Sequence, residues 1–154
     1  YQDCLMIDKR VDNLEAALSG IEDGSTILVG GFGNAGSPIP LLDALIDLGA
    51  KELTIVSNNA GEGKIGLAAL MKAGRISKVI CSYPRSSGSV IFEELYAQGK
   101  IDLEVVPQGT LSERMRAAGA GIGGFFTPTS AGTLLGADKE TREIDGRLLV
   151  LEAP

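Results

Sequence analysis

Short apolar runs alternate along the chain with longer segments in which apolar residues recur at helical spacing. The runs are predicted to be buried strands at residues 27–29, 53–57, 78–82 and 101–106. The longer segments are predicted to be helices at residues 11–18, 38–48, 65–73, 90–98 and 111–118. Because strands and helices alternate, the pattern predicts an α/β fold with an open, mostly parallel sheet and helices on both faces.

The last third of the chain has a different pattern. Residues 119–129 are too rich in glycine for a helix and are predicted to form a shaped loop. Asp145-Gly146 is a hairpin-type turn signal, and residues 148–151 are predicted to be a final strand. No repeat or linker interrupts the pattern, so residues 6–154 are predicted to form one domain. Residues 1–5 precede a candidate start at Met6 and are interpreted as an addition outside that domain.

Local signals place the beginnings of two helices. Ser37 is predicted to cap the second helix, and Pro38 fits its first turn, where a missing N–H costs nothing. Thr110 and Glu113 have the spacing of a capping box, which predicts that Thr110 starts the fifth helix.

A glycine-rich loop joins the first strand to the second helix. It consists of Gly30, Gly31, Phe32, Gly33, Asn34, Ala35 and Gly36. Glycines let backbone N–H groups approach a ligand closely, and a helix N-terminus adds partial positive charge. The loop is therefore a candidate site for the phosphates of a nucleotide-like ligand. A turn that only packs the helix against the sheet remains the alternative.

The same loop satisfies Gly-x-Gly-x-x-Gly at Gly31, Gly33 and Gly36. A dinucleotide site also needs an acidic residue about 20 residues further on, at the end of the next strand. That strand ends after Val56 in Ser-Asn-Asn, without a carboxylate. The sequence therefore disfavours an NAD-dependent dehydrogenase.

Amide side chains follow two other predicted strands. Asn58 and Asn59 begin a polar loop, and Gln108 comes directly before Gly109. Open parallel sheets bind ligands at the carboxyl ends of their strands, so these amides are candidate ligand contacts. An ordinary Asn/Gly turn remains an equal alternative for the first pair. Capping by Thr110 does not explain Gln108.

Composition excludes several classes of function. A formal net charge of −6 argues against broad binding to nucleic acid or anionic membranes, and no apolar run is long enough to span a bilayer. The absence of histidine removes His-dependent triads and most zinc sites, so no metal site is predicted. Two cysteines make no disulfide framework, which fits a cytoplasmic protein. Cys81 is predicted to be a buried thiol near a strand end.

Taken together, these blocks resemble the α (A) subunit of family I coenzyme A transferases. The resemblance rests on residues 23–38, 57–61, 107–114 and 118–129, which match four sequence blocks of that family. Within the family, residues 82–85 and 92–96 resemble the branch that acts on 3-oxoadipate. The resemblance also implies that the complete subunit continues for some dozens of residues past Pro154.

The resemblance implies a role for each candidate residue. The loop Gly30–Gly36 would hold part of CoA, which is substrate and product and not a permanently bound cofactor. Gln108 would donate an amide hydrogen bond to the developing oxyanion. The acyl pocket would be shaped by Asn58, Asn59, Gly109 and Thr129.

The resemblance further implies that this chain is half of an enzyme. The nucleophilic glutamate belongs to a Ser-Glu-Asn-Gly block of the β subunit, which this chain lacks, so an αβ or α2β2 assembly is expected. Glu62 is the nearest carboxylate to a strand-end loop and is expected to be only solvated. CoA would move from succinyl-CoA to a 3-oxo acid, with 3-oxoadipate preferred to acetoacetate. The alternative of another class is a non-catalytic module that binds a sugar phosphate or nucleotide.

Overall fold

The computed structural model describes residues 8–86 and 88–154. Residues 1–5 and Met6, on which the predicted domain start depends, lie outside the described residues. Four parallel strands form the larger sheet, in the order β1 (Thr26–Val29), β2 (Leu53–Asn59), β3 (Ile76–Tyr83) and β4 (Asp102–Val105). The described helices are α1 (Leu14–Ala17), α2 (Ile39–Leu48), α3 (Leu67–Lys72), α4 (Val90–Ala97) and α5 (Gln108–Gly119). None of these helices is long and apolar enough to cross a membrane.

Helices cover both faces of the larger sheet, unequally. The main core is formed by alternate strand residues and the apolar sides of α1–α4, including Leu45, Ile55, Leu70, Val79 and Phe92. A strand order that follows the sequence, with right-handed crossovers, places the connecting helices on one face. The fifth helix lies on the other face, because its Arg114 pairs with Glu104 on the opposite alternation of β4. The predicted fold class is therefore confirmed.

The C-terminal part of the chain forms a second sheet, of which the sequence predicted the hairpin turn and the final strand but not the sheet as a whole. Its three antiparallel strands have the order β5 (Phe125–Thr127), β7 (Arg147–Glu152) and β6 (Thr141–Ile144). A short 3-10 helix, Leu134–Gly136, lies between β5 and β6. The prediction of one loop over residues 119–129 is wrong at both ends, since α5 continues to Gly119 and β5 begins at Phe125. The three-residue strand β5 forms because β7 pairs with it, which local sequence does not reveal.

Two features of the second sheet were predicted. Asp145 and Gly146 make the two-residue connection between β6 and β7, where Ile144 pairs with Arg147. Both turn residues have positive φ, at 50° and 71°, as a type I′ hairpin requires. The hairpin and the final strand are therefore confirmed.

The helix starts differ from the predicted ones. The N-cap residue of α2 is Pro38, without a side-chain cap, so the prediction that Ser37 caps this helix is wrong. The fifth helix begins at Gln108, after Pro107, so the prediction that Thr110 starts it is also wrong. Thr110 instead lies buried within the first turn, and its hydroxyl has no hydrogen-bond partner among the described residues. Pro107 explains the earlier start, because its extended ψ of 139° directs the chain straight into the helix.

The first helix is also shorter than predicted. It begins at Leu14 instead of residue 11, because Asn13 is its N-cap and accepts a hydrogen bond from the Ala16 N–H at 2.8 Å. The predicted end of α2 is confirmed, since Gly49 follows it in the left-handed conformation with φ of 86°.

A network of ion pairs joins the two sheets. Glu152 on β7 has a side chain that is 0% exposed, and it pairs with Arg114 of α5 at 2.6 Å and with Lys139. Arg114 also reaches Glu104 on β4 at 2.7 Å, and Glu104 pairs with Lys78 on β3 at 2.9 Å. The position of α5 relative to both sheets is therefore fixed by charge as well as by packing.

Candidate functional site

A cleft of about 430 Å³ opens between the carboxyl ends of β1 and β2 and the first turns of α5. We call it the Gln108 cleft. Its floor is the sheet face that carries α5, and its lining is Leu28, Val29, Gly30, Gly31, Val56, Ser57, Asn58, Gln108, Leu111, Ser112 and Met115. This is the end of a parallel sheet where ligands bind in open α/β folds. Apolar walls with a few convergent amides are typical of a ligand site.

The amide of Gln108 lies at the mouth of the cleft and is held by a neighbouring strand. Its Nε2 donates a hydrogen bond to Asn58 Oδ1 at 2.7 Å. The Ser82 hydroxyl also lies 3.2 Å from Asn58 Oδ1 and 3.2 Å from the Asn58 carbonyl oxygen. One hydrogen-bonded cluster of polar side chains therefore joins α5, β2 and β3. Ser82 was not among the predicted site residues, because its place beside Asn58 depends on the pairing of β2 with β3.

The structure separates Asn58 from Asn59. The second strand continues to Asn59 instead of ending at Ser57, so the two side chains alternate to opposite faces of the sheet. Asn59 is buried, and its Oδ1 accepts a hydrogen bond from the Gly61 N–H at 2.8 Å. Asn58 lines the Gln108 cleft, whereas Asn59 supports the turn that follows the strand.

The glycine-rich loop is a tight turn. The Phe32 N–H donates to the Ala35 carbonyl at 2.9 Å, and the Ala35 N–H donates back to the Phe32 carbonyl at 3.1 Å. Gly31 has φ of 125°, and a Cβ there would lie 3.1 Å from the Ser37 backbone, so this position requires glycine. Of the seven loop residues predicted to bind CoA, Gly30 and Gly31 line the Gln108 cleft.

The N-terminus of α2 does not provide the free amides expected for phosphate binding. Pro38 and Pro40 have no N–H, the Ile39 N–H donates to the Ser37 carbonyl at 2.9 Å, and the Leu41 N–H donates to the Pro38 carbonyl at 3.0 Å. These two N–H groups are therefore already paired, and the prediction that the glycine-rich loop holds part of CoA stays a prediction.

The other two predicted pocket residues lie outside the Gln108 cleft. Gly109 is exposed in the first turn of α5, beside Gln108. Thr129 lines a separate hollow with Pro107, Ser130, Thr133, Leu134 and Leu135. Pro107 of this hollow and Gln108 of the cleft are neighbours in the chain.

Neither Glu62 nor Cys81 reaches the Gln108 cleft. A Cβ on Gly33 would lie 3.1 Å from Glu62 Oε2, so this carboxylate packs against the tip of the glycine-rich loop. Cys81 is fully buried in β3, as predicted. Burial raises the pKa of its thiol to about 11, which leaves almost no thiolate at neutral pH.

A parallel sheet with a polar cleft at the carboxyl ends of its strands is the arrangement in which open α/β folds bind ligands. The chain belongs to the coenzyme A transferase family, whose sequence profile matches residues 11–154. It is 63% identical to the A subunit of 3-oxoadipate CoA-transferase from Pseudomonas putida, over 97% of this chain and 64% of that relative. It is 44% identical to the A subunit of succinyl-CoA:3-ketoacid coenzyme A transferase from Helicobacter pylori, over 95% of this chain and 62% of that relative.

The chain thus spans less than two thirds of the length of these relatives. Among solved structures, a variant of the decarboxylase AibA/AibB superposes with a TM-score of 0.78, at 21% identity, over 94% of this chain and 58% of that one. At this level of identity the superposition shows a shared fold and not a shared reaction.

Proposed function

We propose that this chain is part of the α subunit of a CoA-transferase that moves CoA from succinyl-CoA to a 3-oxo acid, with 3-oxoadipate as acceptor. The observation that carries the proposal is the 63% identity, over 97% of the chain, with a relative named as a 3-oxoadipate CoA-transferase. Relatives named for 3-ketoacids are 43–48% identical, which makes acetoacetate the competing acceptor.

Gln108 has the chemistry that thioester exchange needs. When a carboxylate attacks a thioester, the carbonyl oxygen becomes an oxyanion, and a fixed amide N–H stabilises that charge. The Nε2 group of Gln108 has two hydrogens, and Asn58 Oδ1 takes one of them. The second hydrogen is the one we assign to the oxyanion.

The nucleophile in this proposal is a carboxylate of a second subunit. The lining of the Gln108 cleft contains no acidic side chain among the described residues, Glu62 packs against Gly33, and Cys81 is a buried thiol. A carboxylate brought by another chain supplies what this cleft lacks. A carboxylate also suits the exchange, because both its anhydride and its thioester can react in reverse.

The proposed steps conserve charge and atoms. The partner carboxylate attacks the thioester carbonyl of succinyl-CoA, and the C–S bond breaks. CoA thiolate departs, and an anhydride between the succinyl group and the partner carboxylate remains. The thiolate then attacks the carboxylate-derived carbonyl of that anhydride, which releases succinate and forms an enzyme thioester. The 3-oxo acid carboxylate repeats these steps in reverse order and leaves as its CoA thioester. Gln108 would stabilise the oxyanion at each addition.

The test is reconstitution of the complete α subunit with its β partner. We expect succinyl-CoA and 3-oxoadipate to yield succinate and a new CoA thioester, detected by chromatography, only when both proteins are present. Activity of the α subunit without its partner would contradict the proposal that the nucleophile belongs to a second subunit. Activity with acetoacetate but not with 3-oxoadipate would show that acetoacetate is the acceptor. Release of CO2 without CoA transfer would indicate a decarboxylase. Ligand-dependent melting without turnover in the pair would indicate the binding module.

A further inference from the structure

We propose that Asn58 is a positioning residue that fixes which end of the Gln108 amide faces the cleft, and that Ser82 supports Asn58 in this role. The inference rests on the proposed function, in which Gln108 supplies a hydrogen to an oxyanion. It assigns Asn58 an action through Gln108, in place of a direct contact with the acyl group.

Without a neighbouring hydrogen-bond partner, the side-chain amide of Gln108 could turn either Nε2 or Oε1 toward the cleft. Its side chain is exposed at the start of α5, and the terminal torsion of glutamine is broad and roughly two-fold. One orientation presents Nε2 hydrogens to an oxyanion, while the flipped orientation presents Oε1, which would repel it. A device that excludes the flipped orientation is therefore needed for catalysis by this amide.

Asn58 provides that device. Its Oδ1 can only accept hydrogen bonds, so it attracts Gln108 Nε2 at 2.7 Å and would repel Gln108 Oε1. Among the described residues, Asn58 Oδ1 is the hydrogen-bond acceptor of Gln108 Nε2, and the lining of the cleft includes no charged side chain. A neutral acceptor at a fixed point on β2 is thus sufficient to set the orientation.

Ser82 provides the next contact. Its Oγ lies 3.2 Å from both the side-chain and the backbone oxygen of Asn58, and it comes from the adjacent strand β3. A donor placed between these two oxygens favours the rotamer in which Asn58 Oδ1 stays on the α5 side of the sheet. The orientation of Gln108 is therefore tied to the pairing of β2 with β3.

The Asn58 side chain supports no backbone group among the described residues. Its Oδ1 contacts are the side chains of Ser82 and Gln108, whereas Asn59 Oδ1 accepts a backbone N–H that would be left buried without it. Removing the Asn58 side chain should therefore leave the fold intact. This difference makes a kinetic test of Asn58 possible.

The test is a double-mutant cycle in the complete α subunit with its β partner, using Asn58→Ala, Gln108→Ala and both together. We expect Asn58→Ala to lower kcat by about tenfold, as for the loss of one neutral hydrogen bond, with little change in the KM for succinyl-CoA. In the Gln108→Ala background the same change should have less than about a twofold effect, because its target is gone. The matched control is Asn13→Ala, which also removes an Oδ1 acceptor but caps α1, and it should leave kcat unchanged.

Two kinetic results would overturn the inference. If the kcat losses of the two single variants multiply in the double variant, Asn58 acts on the substrate independently of Gln108. If Asn58→Ala leaves kcat unchanged, the contact has no role in turnover.

A second measurement stands apart from activity, so failure of the proposed function remains distinguishable. The side-chain NH2 resonances of Gln108, assigned by their loss in Gln108→Ala, should show one hydrogen protected from exchange. Asn58→Ala should remove that protection, Asn58→Asp should retain it because a carboxylate also accepts, and Ser82→Ala should weaken it. Unchanged resonances in Asn58→Ala would refute the positioning role even in a pair without transferase activity.

Discussion

The side-chain amide of Gln108 is the group on which the proposed chemistry most directly depends. We expect Gln108→Ala to lower kcat by about 10²- to 10³-fold, which corresponds to about 3–4 kcal/mol of transition-state stabilisation, as for other single oxyanion donors. The KM for succinyl-CoA should change much less, because the oxyanion exists only during the reaction. Steady-state kinetics of the reconstituted pair measure both constants.

Gln98→Ala provides the control for this substitution. Gln98 is also an exposed glutamine. It lies at the C-cap of α4, whereas Gln108 lies at the start of α5. Its replacement should leave kcat and KM within about twofold of the wild-type values. Equal kcat values for Gln108→Ala and wild type would remove Gln108 from the mechanism.

At the residue scale, sequence alone found some site groups and missed others. Gln108 stood out because capping did not explain it, and the structure places it at the mouth of a cleft. Asn58 and Asn59 were predicted as a pair, and their separation depends on how far β2 extends, which hydrogen bonds to β3 determine. The contact of Ser82 with Asn58 gave no sequence signal, because it is made between two strands.

At the scale of elements, the hairpin of the second sheet gives a specific prediction. Gly146→Ala should destabilise the fold by about 1 kcal/mol, since Gly146 has φ of 71° and a Cβ is unfavourable in the left-handed region. Urea denaturation followed by circular dichroism measures this free energy of unfolding.

Gly123→Ala is the matched control for the hairpin. Gly123 also lies in a connection, but its φ is not in the left-handed region and a Cβ there would meet nothing within 4 Å. This substitution should be neutral or slightly stabilising. Equal losses of stability for the two variants would contradict the conformational explanation.

The elements themselves were predicted better than their ends. Strands β1–β4 and helices α2–α5 all occur near their predicted positions, because apolar periodicity persists over each of them. The starts of α2 and α5 were misplaced because prolines set them, in place of the expected Ser37 and Thr110 caps. The strand β5 was missed because three residues carry too little pattern without their partner β7.

At the scale of the whole molecule, Glu152 determines how the two sheets are joined. Glu152→Gln would leave Arg114 and Lys139 without their shared buried carboxylate. Removing one partner of a buried ion pair costs about 3–5 kcal/mol, so the free energy of unfolding should fall by a similar amount. Glu140→Gln is the control, because Glu140 pairs with Arg142 at the surface and should contribute less than about 1 kcal/mol.

The pH dependence of stability should reflect Glu104 in the same network. Burial opposes its ionisation, but the hydrogen bonds and charges of Lys78 and Arg114 outweigh burial and hold the pKa of Glu104 below its usual value. Its stabilising contribution is therefore complete above the unfolded pKa of about 4.3 and is lost as the pH falls through the lower folded pKa. The difference in unfolding free energy between wild type and Glu104→Gln should shrink below about pH 4.

The control for this titration is Glu94→Gln on the exposed side of α4. Its free energy of unfolding should differ little from that of wild type, because Glu94 is exposed. A constant difference for Glu104→Gln would show that its carboxylate is not stabilised by the two cations.

The four parallel strands lie in the same order in the sheet as in the sequence, and this order affects which substitutions can alter stability and which can alter the cleft. Since α1–α4 all cover one side of the sheet and the Gln108 cleft occupies the other, the main apolar core and the residues of the cleft are divided by a single layer of backbone. Substitutions in α2–α4 should shift the melting temperature while acceptor selectivity stays the same. Adaptation to a new acceptor should instead concentrate along α5 and the strand ends beneath it.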